Sequence, residues 1–209
     1  MTPMSRIRLA PVVLASAFIA GCAIPPSDAE VSAKAAQVMK ASFKDAGQAK
    51  LDRLDQDETQ RLCSRYAGKE IPKDVAVVVE QQNLATIKYP ADGHLIGDWK
   101  NGEKIAQEGR GKQFSDDPKG PVGANCYACL QLAPNELSYG TIGPSLYRFG
   151  KLRGFTDETR RYVWGKIYNP EAFAACSLMP RFGHNGILTE QQIRDVVALV
   201  MDPASPVNQ

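Results

Sequence analysis

The C-terminal segment of the chain carries the clearest helical pattern. Its apolar residues recur at the i, i+3, i+4, i+7 spacing of one helical face, at Ile193, Val196, Val197 and Val200. Thr189 and Gln192 stand at the spacing of a capping box just before this face. Pro203 follows it and cannot continue a helix. The pattern therefore predicts a well-bounded final helix.

A weaker helical pattern lies upstream. The segment "TDETRRYVWGKIYNP" offers Thr156 as an N-cap, places Val163 and Ile167 four residues apart, and reaches Pro170 just past its end. The segment "NGEKIAQEGRGKQF" predicts a short helix that its glycines weaken. Between them lies "SYGTIGPSLYRFGKLRG", which is rich in glycine and aromatic residues and predicts a loop able to pass closely over a flat partner.

The N-terminal half is less regular. Residues 31–66 are rich in Ala, Lys and Gln and predict two helices separated by Gly47. The β-branched segment "DVAVVVEQQNLATIKYP", bounded by prolines, predicts a strand over part of its length. Residues 101–209 are expected to form a mostly α-helical domain, and residues 23–100 an N-terminal extension. Because short helices with long loops bury little apolar surface, the domain is expected to enclose a large apolar group.

The first residues predict export. Arg6 and Arg8 precede an apolar run of signal-peptide length, which is too short to span a bilayer comfortably, so residues 1–21 are expected to be removed. The tetrapeptide "IAGC" resembles a bacterial lipobox, whose cysteine, here Cys22, becomes the lipidated first residue. An ordinary signal peptide cut slightly later, near "SDAEV", is the other interpretation. Either one predicts a periplasmic protein, with a lipid anchor in the first case.

Composition and charge exclude one class of partner. The chain carries a formal charge of +2, and removal of residues 1–21 takes away two arginines and no acid. The mature protein is therefore neutral and has no basic block. This composition gives no electrostatic reason to expect nucleic-acid binding.

The cysteines divide into a local pair and a remote pair. If Cys22 carries lipid, four of the five remain, and Cys126 and Cys129 lie close together in "GANCYACLQLAP". Cys63 and Cys176 are then left to pair with each other or to stay free. In an oxidising compartment, such a disulfide would close a large loop.

A Cys-x-x-Cys followed by histidine is the attachment motif for covalent haem. Here the cysteines are present, but Leu130 stands where the histidine is expected. Haem c would supply the large apolar group that the domain lacks. Met179, in "SLMPRFG", is the candidate axial ligand to the iron from the far side, with Pro180 stiffening its loop.

Three further segments carry a family resemblance. "TIGPSL", "MPRFG" and "GILTEQQIRDVVALVMDPASPVN" together resemble SoxX, the small cytochrome c subunit of the SoxAX complex of bacterial thiosulfate oxidation. The resemblance covers roughly residues 101–209 and implies a cytochrome-c-like fold. It also implies a stable SoxA-type partner, transient contact with a SoxYZ-type carrier, and a cytochrome as electron acceptor.

The resemblance implies a role in an enzyme. The complex is an L-cysteine S-thiosulfotransferase that oxidatively joins thiosulfate to a cysteine of the carrier, and the SoxX subunit receives the electrons. No activity is expected of this chain alone. Carried over by position, Cys126 and Cys129 are the haem-linking residues and Met179 the distal ligand, whereas the proximal ligand falls on Leu130.

Leu130 leaves alternatives open. In the first, only this position has been altered in an otherwise working cytochrome. In the second, the chain is a haemless scaffold subunit on the same fold. In the third, His94 or His184 ligates the iron instead. His184 follows Met179 in the same loop and is therefore expected on the side of the distal ligand. It is a poor substitute for the missing proximal histidine. A redox dithiol and a zinc site are also compatible with the residue types. The first lacks a βαβ context and the second lacks compact ligand spacing.

Overall fold

The computed structural model describes residues 25–209, so the predicted signal peptide, residues 1–21, and Cys22 lie outside the described part of the chain. This part is mostly helical and contains no β-strand. Its helices are α1 (Asp28–Ser42), α2 (Glu58–Arg65), α3 (Lys73–Leu84), α4 (Trp99–Gln107), α5 (Phe149–Arg153), α6 (Asp157–Tyr168) and α7 (Glu190–Met201). Short 3₁₀ turns lie at Leu51–Leu54, Cys126–Ala128, Pro170–Ala172 and Pro206–Asn208.

Residues 42–209 form one compact unit. Helix α1 belongs almost entirely to the preceding unit, and none of its residues is buried. Within the helices of residues 25–209, no segment has the length and apolar character needed to cross a bilayer.

The predicted helices α6 and α7 are confirmed. Thr156 accepts a hydrogen bond from the Thr159 N–H, and α6 begins at the next residue. Thr189 and Gln192 form the complete capping box at the start of α7. The apolar face predicted for α7 is buried, and its residues join Trp164 of α6 in the main core cluster.

The predicted strand is wrong, because the β-branched segment forms α3. Val79 is fully buried and Asn83 nearly so, one helical turn apart, while Val77 and Val78 remain about half exposed. The buried positions therefore follow a helical period rather than an alternating one. Packing of this face against the Pro170–Ala172 turn outweighs the β-propensity of valine.

In residues 31–66, which predict two helices separated by Gly47, the break between the helices is longer than expected. Residues 43–57 separate α1 from α2 with coil and a 3₁₀ turn. Gly47 has φ of +51°, which favours glycine, and a side chain there would collide with the Phe114 carbonyl. The break therefore falls at Gly47, as predicted, but it is much longer than a single residue.

Helices α4 and α7 cross at very close range. Gly102 of α4 lies against the backbone of Asp195 and the side chain of Leu199, where no larger residue fits. Gly97 donates its N–H to the Arg194 carbonyl, and the Asp98 N–H donates to the Asp195 carboxylate at 2.9 Å. This crossing fixes the start of the loop that leads to the cysteine pair.

Candidate functional site

The Cys-x-x-Cys motif forms a 3₁₀ turn. Asn125 enters it in the left-handed region with φ of 46°, a conformation that asparagine tolerates better than most residues. The N–H groups of Cys129 and Leu130 both donate to the Cys126 carbonyl, at 3.0 and 3.1 Å. The turn therefore has a defined backbone shape.

A second loop runs beside this turn and holds it. Gly140 donates to the Tyr127 carbonyl, Gly143 to the Cys129 carbonyl and Leu146 to the Gln131 carbonyl, at 2.8, 2.9 and 2.8 Å. Gly140 lies so close to the Ala128 carbonyl that a side chain would collide with it. The glycine-rich segment "SYGTIGPSL" thus lies along the cysteine turn, which its composition alone could not establish.

The thiols of Cys126 and Cys129 are both free, and both residues are half-buried. Burial raises the pKa of the Cys126 thiol to about 12, and the neighbouring Cys129 adds to the shift. Because the thiolate is the nucleophile in disulfide exchange, a thiol that stays protonated near neutral pH reacts slowly. A buried, protonated Cys126 thiol is therefore a poor nucleophile for disulfide exchange.

Leu130 is part of an apolar cluster rather than an open coordination position. Its side chain contacts the backbone region of Gly143 and packs with Cys126 against a small buried cluster. The buried members of this cluster are Ala106, Tyr127, Leu132, Leu199 and Val207. Leucine offers no lone pair to a metal, so this position provides packing alone.

Met179 is half-buried and packs against the main core cluster, which includes Trp164 and Phe182. Its N–H donates to the Ser177 hydroxyl at 3.2 Å. Leu146, from the loop beside the cysteine turn, packs against both this cluster and the one that holds Leu130. It is the residue that connects the two apolar regions.

Neither histidine belongs to these apolar clusters. His94 is exposed and lines a cleft of about 300 Å³ with Arg160 and Arg161. His184 is exposed, and partial desolvation together with the charge of Arg181 lowers its pKa. Among residues 25–209, no three His, Cys, Asp or Glu side chains lie close enough together to hold a metal ion. The zinc hypothesis therefore has no ligand cluster in that part of the chain.

The residues fit only part of a haem c site. The free thiols of Cys126 and Cys129 have the chemistry and spacing for thioether attachment, and Met179 has the chemistry of an axial ligand. The position that should supply the second ligand holds Leu130, packed among apolar side chains. Two free thiols of the expected spacing are thus present, whereas Leu130 offers no ligand from the cysteine side.

The remote cysteines are joined. Cys63 in α2 forms a disulfide with Cys176, across a separation of 113 residues and with Cα atoms 5.3 Å apart. This is the pairing that would close the large loop considered in the sequence. It places the N-terminal extension beside the loop that carries Met179.

Two charged residues near Met179 were missed by sequence reasoning. Arg181 is buried, with 8% of its surface exposed, and its guanidinium lies 2.6 Å from a carboxylate oxygen of Asp57. Glu171 is also buried and accepts the Cys176 N–H at 2.6 Å. The capping pattern Asp57-x-x-Gln60 is visible in the sequence, but the pairing with a residue so remote is not.

No family model matches the chain. An uncharacterized lipoprotein from Aquifex aeolicus (strain VF5) is 39% identical to it over 158 residues, covering 74% of this chain and 73% of that protein. The chain belongs to the family of this lipoprotein. The shared length is greater than residues 101–209 alone can supply, so the likeness extends into the N-terminal extension.

Proposed function

We propose that this protein is the SoxX-type subunit of a SoxAX-type complex and accepts electrons within it. One structural observation carries the proposal. The cysteine connectivity uses Cys63 and Cys176 in a disulfide and leaves Cys126 and Cys129 free on a turn held by a second loop. These two thiols are thereby kept available for thioether bonds. The sequence resemblance over residues 101–209 supplies the family context.

The reaction to which the subunit contributes releases electrons. A thiol of the carrier protein and thiosulfate join through a new sulfur–sulfur bond, with loss of a proton and two electrons. Covalently bound haem c supplies a one-electron redox couple when present. On this proposal Cys126 and Cys129 would hold the group through thioether bonds and Met179 would supply a sulfur ligand to its iron, and the sulfur chemistry would take place on the partner subunit.

A surface for the partner subunit is part of the proposal. Leu137, Ile142 and Leu152 are 93%, 67% and 77% exposed, and residues 137–156 contain no acidic side chain. The same stretch carries Arg148, Lys151 and Arg153. Apolar side chains with charges of a single sign suit a partner face with acidic residues at its edge. Failure to copurify with a SoxA-type protein after coexpression would contradict this part of the proposal.

A haemless scaffold subunit is the second candidate, and Leu130 is the observation that favours it. A leucine packed into an apolar cluster beside a desolvated thiol makes a stable site without any prosthetic group. Such a subunit would keep the partner surface and lose the electron-accepting role.

Membrane attachment through Cys22 is proposed from the lipobox resemblance and from the family of the Aquifex lipoprotein. The diacylated and N-acylated cysteine would tether the protein in the bacterial envelope, since more than one chain is needed for stable anchoring. Mass spectrometry of the mature N-terminal peptide tests this. An unmodified N-terminus beginning after Cys22 would exclude it.

The deciding experiment is a pyridine haemochrome spectrum of protein made in a host with c-type cytochrome maturation. The electron-acceptor proposal expects covalent haem in the wild-type chain and none in a Cys126→Ser/Cys129→Ser control. Met179→Ala should then shift the absorption spectrum, because it removes the one axial side chain. Absence of haem from the wild type, with copurification of the partner retained, would contradict electron acceptance and support the scaffold.

Leu130→His sharpens the same experiment. This change places the expected proximal ligand beside Cys129 without altering the attachment residues. If attachment fails in the wild type for lack of the histidine, the variant should gain covalent haem. If the variant also stays haemless, the turn itself cannot accept the group. In either case a haemless wild type contradicts electron acceptance, and the variant shows whether Leu130 is the reason.

A further inference from the structure

The loop that carries Met179 is fixed to helix α2 on both sides of that residue. Three positions before Met179, Cys176 is bonded to Cys63 in the body of α2. Two positions after it, Arg181 pairs with Asp57, the N-cap of the same helix, at 2.6 Å. Both attachments cross more than a hundred residues of sequence, and both end on one short helix.

One carboxylate serves the helix and the loop together. One oxygen of Asp57 accepts the Gln60 N–H at 2.8 Å and caps α2, while the other contacts the Arg181 guanidinium. Arg181 is buried, so this pair is less screened by water than a surface ion pair. Any shift of Arg181 would therefore disturb a hydrogen-bonded helix start.

The spacing of the two attachments shapes the loop. Asp57 and Cys63 are six helical positions apart, which corresponds to roughly 9 Å along the helix. The chain from Cys176 to Arg181 could extend to about 17 Å. The segment is therefore long enough to bow between its two attachments. Leu178 projects outward and is 83% exposed, whereas the next residue, Met179, packs against the core.

The loop needs such restraint, because its own backbone does not enforce this shape. Cys176 has φ of 60°, in the left-handed region that non-glycine residues rarely adopt. Its N–H is held by the buried carboxylate of Glu171, and the preceding Ala175 N–H donates to Glu80 at 3.2 Å. Side chains from other elements therefore maintain the conformation that turns Met179 inward.

We propose that α2 is a clamp for Met179, with Cys63 and Asp57 as positioning residues that hold the methionine loop, residues 175–183, from both sides. As far as it concerns iron ligation, the inference rests on the proposed function. It assigns a role to the N-terminal extension, since α2 then fixes the axial ligand of a site built by residues 101–209.

Amide hydrogen exchange of the mature protein tests the clamp without any haem. The probes are the N–H groups of Gly183 and His184, which both donate to the Tyr168 carbonyl. Cys63→Ser/Cys176→Ser should raise their exchange rates about tenfold or more, and Asp57→Asn, which keeps a capping side chain, several-fold. The Ile193 N–H at the start of α7 serves as the internal reference.

Glu58→Gln is the matched control variant. It breaks the exposed Glu58–Arg61 ion pair, which has a similar N–O distance of 2.6 Å and whose two partners both lie in α2. Its loop amides should exchange as in the wild type. Unchanged exchange in both clamp variants would overturn the inference. A uniform rise that includes Ile193 would overturn it too, because the attachments would then stabilise the whole unit rather than the loop.

A second measurement separates positioning from stability. In haem-loaded protein, both clamp variants should weaken the absorption signature of methionine–iron ligation, and Glu58→Gln should leave it intact. An unchanged signature in the clamp variants would overturn the positioning of Met179. Lack of covalent haem in the wild type would instead contradict the proposed function, and the exchange measurement would decide the clamp by itself.

Discussion

The α4–α7 crossing and the methionine loop are held in place in opposite ways. At the crossing, Gly102 lies against the backbone of Asp195, and Ala106 and Leu199 are fully buried. The crossing is stabilised by many close van der Waals contacts, which depend on complementary shapes of the two helices. In the loop around Met179, core packing of Met179 and Phe182 is joined by individual bonds: a disulfide and an ion pair to α2, and the hydrogen bond from the Cys176 N–H to Glu171.

This difference predicts how each region responds to a substitution. A packed crossing has one good arrangement, and a change in volume there is transmitted to both helices. A loop held by separate bonds can lose one of them and keep the rest of the fold. The crossing is thus the frame of the domain, and the loop is the part whose position can be altered without unfolding it.

The largest effect is expected at the crossing. Gly102→Ala would place a methyl group against the Asp195 backbone and within 3.0 Å of the Leu199 side chain. Overpacking of this kind costs about 2–3 kcal/mol, even after the gain in helix propensity. Urea unfolding should show this loss in the free energy of unfolding.

Gly109→Ala is the matched control for the crossing. A side chain there would meet the Asn125 amide only at 3.4 Å, an ordinary contact, and Gly109 does not have positive φ. Its free energy of unfolding should change by less than about 1 kcal/mol. Equal losses in the two variants would show that the close approach of α4 and α7 is not what makes Gly102 necessary.

A smaller effect is expected at the Pro170–Ala172 turn, which precedes the methionine loop. Asn169 is fully buried and donates to Asn83 of α3 and to Thr86, both at 2.9 Å. Asn169→Ala would leave the Asn83 side-chain carbonyl without this donor, at a cost of about 2 kcal/mol. Thermal unfolding should show a lower midpoint.

Asn101→Ala provides the comparison for that change. Asn101 is exposed on α4, and alanine is the better helix former, so this variant should be neutral or slightly stabilising. If Asn169→Ala proved as harmless as Asn101→Ala, the buried amide network would not be what joins α3 to the Pro170–Ala172 turn.

The same contrast explains what the sequence can predict. The packed helices carry regular sequence patterns. The caps at Thr156 and Thr189 and the apolar face of α7 predict α6 and α7 correctly. Helix α3 was wrongly predicted as part strand, because its identity depends on the partner that buries Val79 and Asn83. Local pattern contains no information about that partner.

The candidate site divides along the same line. Cys126, Cys129 and Met179 are recognisable by residue type and local spacing. The Cys63–Cys176 bond could be proposed by elimination among the cysteines, since few pairings remain. The Asp57–Arg181 pair could not, because charged residues are common and nothing in a single sequence marks which two meet across 124 positions.

The smallest expected effect concerns how the stability contributed by the Asp57–Arg181 pair changes in acid. Burial raises the pKa of Asp57, but hydrogen bonds from the Gln60 N–H and Arg181, with the charges of Arg181 and His184, lower it on balance. The stabilising contribution is therefore fully present above the ordinary value of 3.8 and is lost as pH falls through the lower folded-state value. Because Asp57 is partly exposed, this contribution is at most about 1 kcal/mol.

Asp57→Asn should remove this acid-sensitive contribution and keep the cap of α2. The difference in melting temperature between wild type and variant should be largest above pH 4 and should vanish in stronger acid. Glu171, whose pKa burial raises, contributes with the opposite sign: its stabilisation is full below pH 4.5 and declines above it. It is present in both proteins, so it cancels from the difference to the extent that its coupling to Asp57 is small.

A difference that stayed constant through the acid range would mean that the carboxylate charge of Asp57 does not stabilise the loop. The pairing with Arg181 would then contribute geometry alone, and the disulfide would remain as an energetic attachment of α2 to the methionine loop.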